Sequence, residues 1–184
     1  LDVGQGDCFV ADTKSGAIIF DGGSSSEDQV GRYRILPYMK YLGYQKIQIA
    51  VISHMDIDHY SGIKELLEMG KIKYLGLPEI PKDETMKKII GIAKKRGTTI
   101  FYLSRGRQIT TKDGSLKVLH PQKNSQMEKN AASLVMQGKI LGYRVLLTGD
   151  VEKEGEEELL SEELERADIL KAAHHGSKNS TSNE

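Results

Sequence analysis

The sequence contains a single cysteine and no long apolar run, and both features narrow the class of protein that it encodes. With Cys8 alone, the chain forms neither an internal disulfide nor a metal cluster built from several thiolates. No apolar stretch approaches the roughly 20 residues that a membrane-spanning helix requires. We therefore predict that this segment does not cross a bilayer.

Common nucleotide and calcium motifs are also missing. Gly4-Gln5-Gly6 lacks the third glycine of a dinucleotide-binding fingerprint, and the sequence contains no P-loop. An EF-hand calcium loop starting at Asp56 is excluded, because its sixth position is Ser61 rather than glycine and its twelfth is Leu67 rather than glutamate. Any cofactor chemistry must therefore depend on other residues.

Length and composition predict one globular domain. The chain has 184 residues, of which 38% are apolar and 28% charged, which is ordinary for a water-soluble domain. That length allows one sizeable core, so we predict a single domain over residues 1–184. The chain begins at Leu1 without a methionine or a signal-peptide pattern, so we expect it to be a fragment of a larger protein.

Charge is balanced overall but unevenly distributed along the chain. Residues 82–117 hold ten lysines and arginines against three acids, and residues 152–165 hold eight glutamates. Both stretches are typical of solvated helix faces. The basic stretch could alternatively bind phosphate groups, with Tyr74, Phe101 or Tyr102 available for base stacking.

Hydrophobic periodicity predicts many short strands with helices between them. Helical spacing indicates helices at 29–42, 63–69, 83–96 and 152–165. Short runs bounded by turns indicate strands at 8–11, 17–20, 47–52, 74–77, 99–103, 115–119, 133–140, 143–148 and 169–173. Because strands and helices do not alternate strictly, we predict an α/β fold with two sheets between helices, an αββα four-layer sandwich.

Four candidate metal ligands follow the buried strand predicted at 47–52. His54, Asp56, Asp58 and His59 lie within six residues, on a predicted loop between that strand and the next helix. In an extended segment the first three side chains would point the same way, and His59 would approach from the following turn. A polar loop that only caps the helix is the alternative, but four donors favour a site for two adjacent metal ions.

The wider pattern resembles a known family. The superfamily of metallo-β-lactamases carries H-x-H-x-D-H after a strand, and further matches are Asp21 in "IIFDGG", Asp150 in "LLTGD" and the histidines of "LKAAHHGS". More narrowly, "LDVGQGD", "SHMDIDH", "NAASLVM", "LLTGD" and "ADILKAAHHGSKNSTS" resemble the metallo-β-lactamase-like domain of ComEC-type DNA-internalisation competence proteins. The resemblance spans nearly the whole chain and implies the same αββα fold, which could lack a final element beyond residue 184.

The resemblance also implies roles for individual residues. Asp150 would bridge two metals, and one of His174 and His175 would complete the second site, with the sequence leaving open which one. Asp21 would orient the metal loop by hydrogen bonds, and Asp7 would support the site in the same way. The implied metal ligands are His54, Asp56, Asp58, His59, Asp150 and His174 or His175, and the implied catalytic residues are Asp58, Asp150, His174 and His175.

Two departures from the superfamily pattern affect the expected metal. Asp56 stands where the superfamily has its second histidine, and the third histidine is missing, with Asn130 or Ser133 as the nearest candidates for a first-site ligand or substrate contact. Oxygen donors in place of imidazoles favour Mn²⁺, with Mg²⁺ or Zn²⁺ as alternatives, and make the first site weak. They also argue against β-lactamase activity, which relies on an imidazole-rich first site.

The resemblance implies a metal-dependent phosphodiester hydrolase, namely a nuclease domain that degrades one strand of DNA during competence uptake. Its partner would be DNA, with a single strand as the expected form. The parent protein would carry transmembrane segments outside this chain and would tether the domain to the bacterial cytoplasmic membrane, on a side that the sequence does not indicate. Two alternatives stay open: a free hydrolase of a small phosphodiester or other ester, and a catalytically degenerate domain that binds DNA.

Overall fold

A computed structural model of the chain describes residues 1–127, 129–162, 164–177 and 180, with Lys129 described by its backbone alone. The described strands form two sheets of five. Contacts divide the chain into two compact units, residues 1–77 with 82–101 and residues 78–81 with 102–184. Within the described residues, no helix has both the length and the apolar character that a membrane span requires.

The first sheet has the strand order β1-β2-β3-β4-β5. β1 and β2 form an antiparallel hairpin, whereas β3 is parallel to both of its neighbours, β2 and β4. Parallel strands that are buried on both faces appear in a sequence as continuous apolar runs, which explains why β3 was predicted correctly. The five strands are β1 (Phe9–Thr13), β2 (Gly16–Phe20), β3 (Ile47–Val51), β4 (Ile72–Pro78) and β5 (Thr99–Leu103).

Three helical segments belong to the first unit. A π-helix (Gly31–Ile35) continues directly into α1 (Leu36–Tyr41), and Pro37 lies in the first turn of α1, where a missing backbone N–H costs least. The other two are α2 (Ile57–Glu68) and α3 (Glu84–Lys95). Each buries an apolar stripe, such as Ile63, Leu66 and Leu67 on α2 and Met86, Ile89 and Ala93 on α3.

The second sheet has the strand order β10-β9-β8-β7-β6. Its pairs are antiparallel except for β10 with β9, which is parallel. The unit has a core of Leu119, Val135, Val151, Leu159 and Ala173, to which the α-helix described in this unit, α4 (Glu154–Leu160), contributes Leu159. Two short 3₁₀ helices are also described, Lys129–Ala132 and Ala173–Gly176. The strands are β6 (Gln108–Thr111), β7 (Gly114–His120), β8 (Val135–Ile140), β9 (Tyr143–Leu147) and β10 (Ile169–Lys171).

The predicted fold class is confirmed, but several boundaries were wrong. α2 begins at Ile57 rather than at residue 63, because Ser61 and Gly62 look like a helix breaker in sequence but lie inside the helix. Gly62 is needed there, since a Cβ at that position would lie 2.6 Å from the carbonyl oxygen of Gly22. β6 was missed because its four residues carry one buried apolar side chain, and α4 is shorter than the predicted 152–165.

Burial makes Cys8 an unreactive thiol, and this yields a simple prediction. Desolvation raises the pKa of Cys8 to about 12, so the thiol stays protonated at neutral pH. Because the thiolate is the reactive form, we expect the folded protein to react with Ellman's reagent at pH 8 only as fast as it opens or unfolds. Denaturant should expose one fast-reacting thiol per chain, and a fast reaction without denaturant would contradict the buried position.

Candidate metal centre

The predicted ligand loop divides between a turn and a helix. His54 and Asp56 lie in the irregular segment after β3, whereas Asp58 and His59 lie in the first turn of α2. The expectation that the first three side chains share one extended segment was therefore wrong, because a negative charge near a helix N-terminus is stabilised and the helix starts earlier. His54 and His59 are buried, and Asp56 is exposed.

A buried carboxylate, Asp21, connects these residues. It lies at the end of β2 and accepts hydrogen bonds from the backbone N–H of Ser53 at 2.7 Å and from the Ser53 hydroxyl at 2.8 Å. Its Oδ2 also lies 3.0 Å from Nδ1 of His59. The sequence assigned Asp21 an orienting role by hydrogen bonds, and this geometry supports that role.

This network sets the protonation of His54. The single hydroxyl hydrogen of Ser53 points to Asp21, so the Ser53 oxygen is left as an acceptor for Nδ1 of His54, 3.0 Å away. Nδ1 of His54 therefore carries the proton, and Nε2 presents its lone pair. Nε2 is buried and has no hydrogen-bond partner among the described residues, which is the arrangement of a metal-ligating imidazole.

The same carboxylate sets the protonation of His59. Because an ionised carboxylate only accepts hydrogen bonds, Nδ1 of His59 donates to Asp21, and in the neutral ring this places the lone pair on Nε2. The two imidazole rings lie with centroids 4.2 Å apart at an angle of 51°. These two histidines thus fit a divalent metal, with tautomers selected by one carboxylate.

The N-terminal segment lies against the start of α2. The Asp7 N–H donates to the carbonyl of Asp58 at 3.1 Å, and one carboxylate oxygen of Asp7 lies 3.7 Å from Nδ1 of His59. The Gly23 N–H donates in turn to the carbonyl of Asp7 at 3.2 Å. Sequence reasoning gave Asp7 a supporting role, and the structure places its carboxylate beside a predicted ligand.

Gly23 has no side chain because the first turn of α2 lies directly against it. A Cβ at Gly23 would lie 2.5 Å from the carbonyl oxygen of Ile57 and 2.6 Å from both the carbonyl carbon of Asp58 and the amide nitrogen of His59. In the sequence, Gly22 and Gly23 after Asp21 indicate only a turn. The close contact between Gly23 and the backbone of α2 could not be predicted from the sequence, and it fixes the positions of Asp58 and His59.

We expect Gly23→Ala to destabilise the chain. Its methyl group would push the start of α2 away, and overpacking of this kind costs about 1–3 kcal/mol in the free energy of unfolding, measured with urea. Gly91→Ala is the matched control, because Gly91 lies inside α3 with no atom within 4 Å of the new Cβ. The control should gain roughly 0.5–1 kcal/mol from helix propensity, and equal effects of the two substitutions would contradict the packing argument.

The second unit carries the other predicted ligands after β9 and β10. Nε2 of His175 lies 3.5 Å from one carboxylate oxygen of Asp150, whereas Nδ1 of His174 lies 3.1 Å from the carboxylate of Glu152. His174 and His175 have positive φ angles of 45° and 54°, in the left-handed region that residues other than glycine adopt uncommonly. The geometry pairs His175 with the predicted bridging carboxylate and His174 with another acid.

Lys171 is a neighbour of Asp150 that sequence reasoning missed. It ends β10, and its ammonium group donates to Oδ1 of Asp150 at 3.0 Å and to the carbonyl of Gly149 at 2.5 Å. Its side chain is only 13% exposed, so the charge is held in place rather than solvated. The available signal was a lysine at a strand end directly before "AAHH".

The two candidates for the missing histidine differ in their surroundings. The hydroxyl oxygen of the buried Ser133 accepts a hydrogen bond from the backbone N–H of Asp150 at 3.3 Å, so it helps to place that residue. The side-chain oxygen of Asn130 is buried without a hydrogen-bond partner among the described residues. This difference favours Asn130 as the side chain that takes a ligand or substrate contact.

His120, the other histidine near these positions, has a structural role. Its Nε2 lies 2.7 Å from the carbonyl of Ala131, and its Nδ1 lies 3.2 Å from the Glu158 carboxylate on α4. Burial lowers the pKa of His120, against the opposing effects of that carbonyl and of Glu158. The glutamate run predicted a purely solvated helix face. Glu158 departs from that prediction, because its carboxylate faces His120 and also lies 3.9 Å from the guanidinium group of Arg105.

The fold is mixed α/β, and each of its two units places histidines and aspartates after strands. The chain belongs to the metallo-beta-lactamase superfamily, whose family model matches residues 1–184. Among solved structures, the metallo-beta-lactamase fold protein YhfI from Bacillus subtilis superimposes with a TM-score of 0.58 at 17% identity, covering 90% of this chain and 62% of that one. The superfamily is generally hydrolytic, and its fold typically binds divalent metals.

Curated relatives of the chain include a protein named as a competence protein. ComE operon protein 3 of Bacillus subtilis (strain 168) is 34% identical over 203 residues, covering 100% of this chain and 26% of that protein. Competence protein ComA of Neisseria gonorrhoeae is 28% identical, covering 98% of this chain and 24% of that protein. The predicted resemblance is thus confirmed, and the chain spans about a quarter of the length of these relatives.

Proposed function

We propose that the chain is the metal-dependent phosphodiesterase domain of a competence protein and that it hydrolyses DNA, with a single strand as substrate. The observation that supports the metal part of this proposal is the Asp21 network, which orients the buried His59 directly and the buried His54 through Ser53. The similarity to competence proteins supports DNA as the substrate.

We propose the metal ligands from the superfamily pattern together with the local geometry of each unit. In the second unit, the position of His175 beside Asp150 favours it over His174, which lies beside Glu152. Divalent ions bound to such donors polarise phosphoryl oxygens and lower the pKa of water, which are the two requirements of phosphodiester hydrolysis. The proposed set is His54, Asp56, Asp58 and His59 from the first unit and Asp150 and His175 from the second.

Other residues of the chain orient these groups. Lys171 holds one oxygen of Asp150 and the Gly149 carbonyl, which fixes the direction of that carboxylate. The Ser133 hydroxyl holds the backbone of the same residue. The buried oxygen of Asn130 is suited to accept a hydrogen bond from substrate or to bind weakly at the first site.

The donor set favours Mn²⁺ over Zn²⁺. Asp56 supplies carboxylate oxygen where the superfamily has an imidazole, and it is exposed, so its contribution to affinity is small. Harder oxygen donors shift preference toward Mn²⁺ or Mg²⁺. We propose two divalent ions, of which the first is the weaker. On this proposal, the parent protein tethers the domain to the cytoplasmic membrane through segments outside this chain.

A substrate panel tests this function. Purified protein, extended beyond residue 184 by the parent sequence, is incubated with end-labelled single-stranded and duplex DNA in EDTA, Mn²⁺, Mg²⁺ or Zn²⁺. Bis(p-nitrophenyl) phosphate serves as the small diester. We expect metal-dependent cutting of DNA, fastest in Mn²⁺ and on the single strand.

The same panel separates the alternatives. Hydrolysis of the small diester without any cutting of DNA would replace the nuclease with a hydrolase of small esters. Binding of DNA without hydrolysis of either substrate, in any of the metals, would indicate a degenerate DNA-binding domain.

A further inference from the structure

An unusual run of tyrosine and basic residues lies in the first unit. Residues 29–55 contain four tyrosines and four basic residues and no aspartate or glutamate. Half of the eight tyrosines of the chain fall between Tyr33 and Tyr44. The π-helix and α1 carry three of these tyrosines, and none of the four belongs to the candidate metal centre.

Three of these tyrosines lie together on the helical segment, and two are strongly exposed. Tyr41 is 84% exposed and Tyr33 is 62% exposed. The rings of Tyr38 and Tyr41 stack with centroids 6.4 Å apart and an angle of 22° between their planes. Tyr33 precedes Tyr41 by eight residues, which is about 12 Å along a helix axis. We name Tyr33, Tyr38 and Tyr41 the tyrosine surface.

Positive charge surrounds the tyrosine surface. Arg32, Arg34 and Lys40 are exposed on the same helical segment. Arg34 has one acidic neighbour, Glu27, at 3.5 Å, and the Arg32 side chain donates to the neutral Gln29 at 3.0 Å. In the part of the chain that the structure describes, Lys40 makes no ion pair.

The tyrosine surface is attached firmly to the helix that carries Asp58 and His59. Gly31 packs against the carbonyl of Gly62 on α2, so closely that a Cβ at Gly31 would clash with that oxygen. The backbone N–H of Arg32 also donates to the carboxylate of Glu65 on α2 at 3.0 Å. A ligand on the tyrosine surface is therefore held in a fixed relation to the start of α2.

We propose that the tyrosine surface, with Arg34 and Lys40, binds one strand of DNA by stacking of unpaired bases and by contact with phosphates. Aromatic rings beside cations recognise single strands without sequence preference, because every base presents a flat face. A lipid surface fits less well, because a helix that lies on a membrane inserts Trp, Phe or Leu side chains, whereas the large hydrophobic residues that this segment exposes are Tyr33 and Tyr41. This binding surface rests on the proposed function, since a nuclease that degrades one strand must bind that strand.

Fluorescence anisotropy in EDTA tests the proposal without cleavage, using a fluorescein-labelled oligothymidine of about 15 nucleotides, within the range that single-strand-binding domains occupy. The double variant Tyr33→Ala/Tyr41→Ala should bind at least about tenfold more weakly. Tyr33→Phe/Tyr41→Phe keeps the rings and should bind within about twofold of the unchanged chain. Tyr143→Ala, which removes a tyrosine that is 58% exposed in the second unit, is the control and should have no effect.

Charge is tested separately with Arg34→Gln/Lys40→Gln. Removing two phosphate contacts should reduce the slope of log K against log salt concentration by about 1.4 for a single strand. The same substitutions should weaken duplex binding, whereas the tyrosine substitutions should leave duplex binding unchanged, because paired bases cannot stack on the rings. Equal single-strand affinities of the unchanged chain and the alanine variant would overturn the proposal.

Vesicles with anionic lipid distinguish the remaining explanation. Tyrosine-dependent binding to vesicles of phosphatidylcholine and phosphatidylglycerol, with no binding of oligothymidine, would make this a membrane contact and overturn the proposal. The two hypotheses also fail separately. If the alanine variant cleaves DNA in Mn²⁺ as fast as the unchanged chain, only the proposed role of the tyrosine surface is refuted. If binding depends on the tyrosines but no DNA is cleaved, only the proposed nuclease activity is refuted.

Discussion

Asp150→Ala is expected to reduce metal-dependent DNA cleavage by roughly 10²–10³-fold, the order that loss of one preorganised electrostatic group costs. Asp150 is buried, lies 3.5 Å from His175, and is held by Lys171 and by the Ser133 hydroxyl. Its removal takes away the proposed bridging carboxylate and leaves the Lys171 ammonium without that carboxylate partner. The loss of activity should exceed any loss of folded protein.

The measurement is cleavage of end-labelled single-stranded DNA in Mn²⁺, with circular dichroism at the assay temperature to show that the variant is folded. Asp168→Asn is the matched control, because Asp168 is an exposed acid of the same unit that pairs with Arg144 at 2.7 Å. The control should retain normal activity. A folded Asp150→Ala protein that cuts DNA at the normal rate would remove Asp150 from the mechanism.

Asp21→Asn is expected to weaken metal binding by about 10–100-fold, although Asp21 is not a proposed ligand. The amide offers one acceptor oxygen, which the Ser53 N–H retains, and its NH₂ group then faces Nδ1 of His59. To accept from that NH₂ group, the ring must move its proton to Nε2, which blocks the position proposed for the metal. Asparagine also tolerates the positive φ of 56° at this position, so the backbone is preserved.

Two readouts test the Asp21→Asn prediction. Nitrogen chemical shifts of ¹⁵N-histidine-labelled, metal-free protein identify the tautomer of His59, which should carry its proton on Nδ1 in the unchanged chain and on Nε2 in the variant. Calorimetry with Mn²⁺ gives the change in affinity. Asp12→Asn is the control, because Asp12 is an exposed acid whose partner is the Tyr44 hydroxyl at 2.5 Å. Unchanged tautomer and unchanged affinity in Asp21→Asn would contradict the role of the network.

Residue type and spacing selected candidate ligands from the sequence, but they did not indicate the contacts that orient those ligands. His54, His59 and Asp150 were selected because their residue types and spacing match a metal-binding pattern. His54 and Asp150 lie after strands as predicted, whereas His59 lies in the first turn of α2 rather than on a loop. The tautomers depend instead on Asp21, which is 32 residues from Ser53 and 38 from His59. A hydrogen bond across such a separation leaves no local signal in the chain.

The roles of one glycine and one lysine were also not predicted from the sequence. The helix predicted from residue 63 left out Gly62, which lies within α2, because only the nearby Gly22 carbonyl reveals why a glycine is needed there. Lys171 looked like an ordinary strand residue, yet its side chain is buried against Asp150. Tertiary contacts decide both positions, and periodicity does not report them.

The most direct test of the central claim is reversible metal dependence of DNA cleavage. The protein is stripped with EDTA, dialysed, and assayed on end-labelled single-stranded DNA before and after Mn²⁺ is restored, beside Asp58→Ala. The account predicts no cutting by the stripped protein, recovery of cutting with Mn²⁺, and no recovery in Asp58→Ala. Cutting that survives EDTA, or that Asp58→Ala performs equally well after Mn²⁺ is restored, would contradict a metal-dependent nuclease built on these residues.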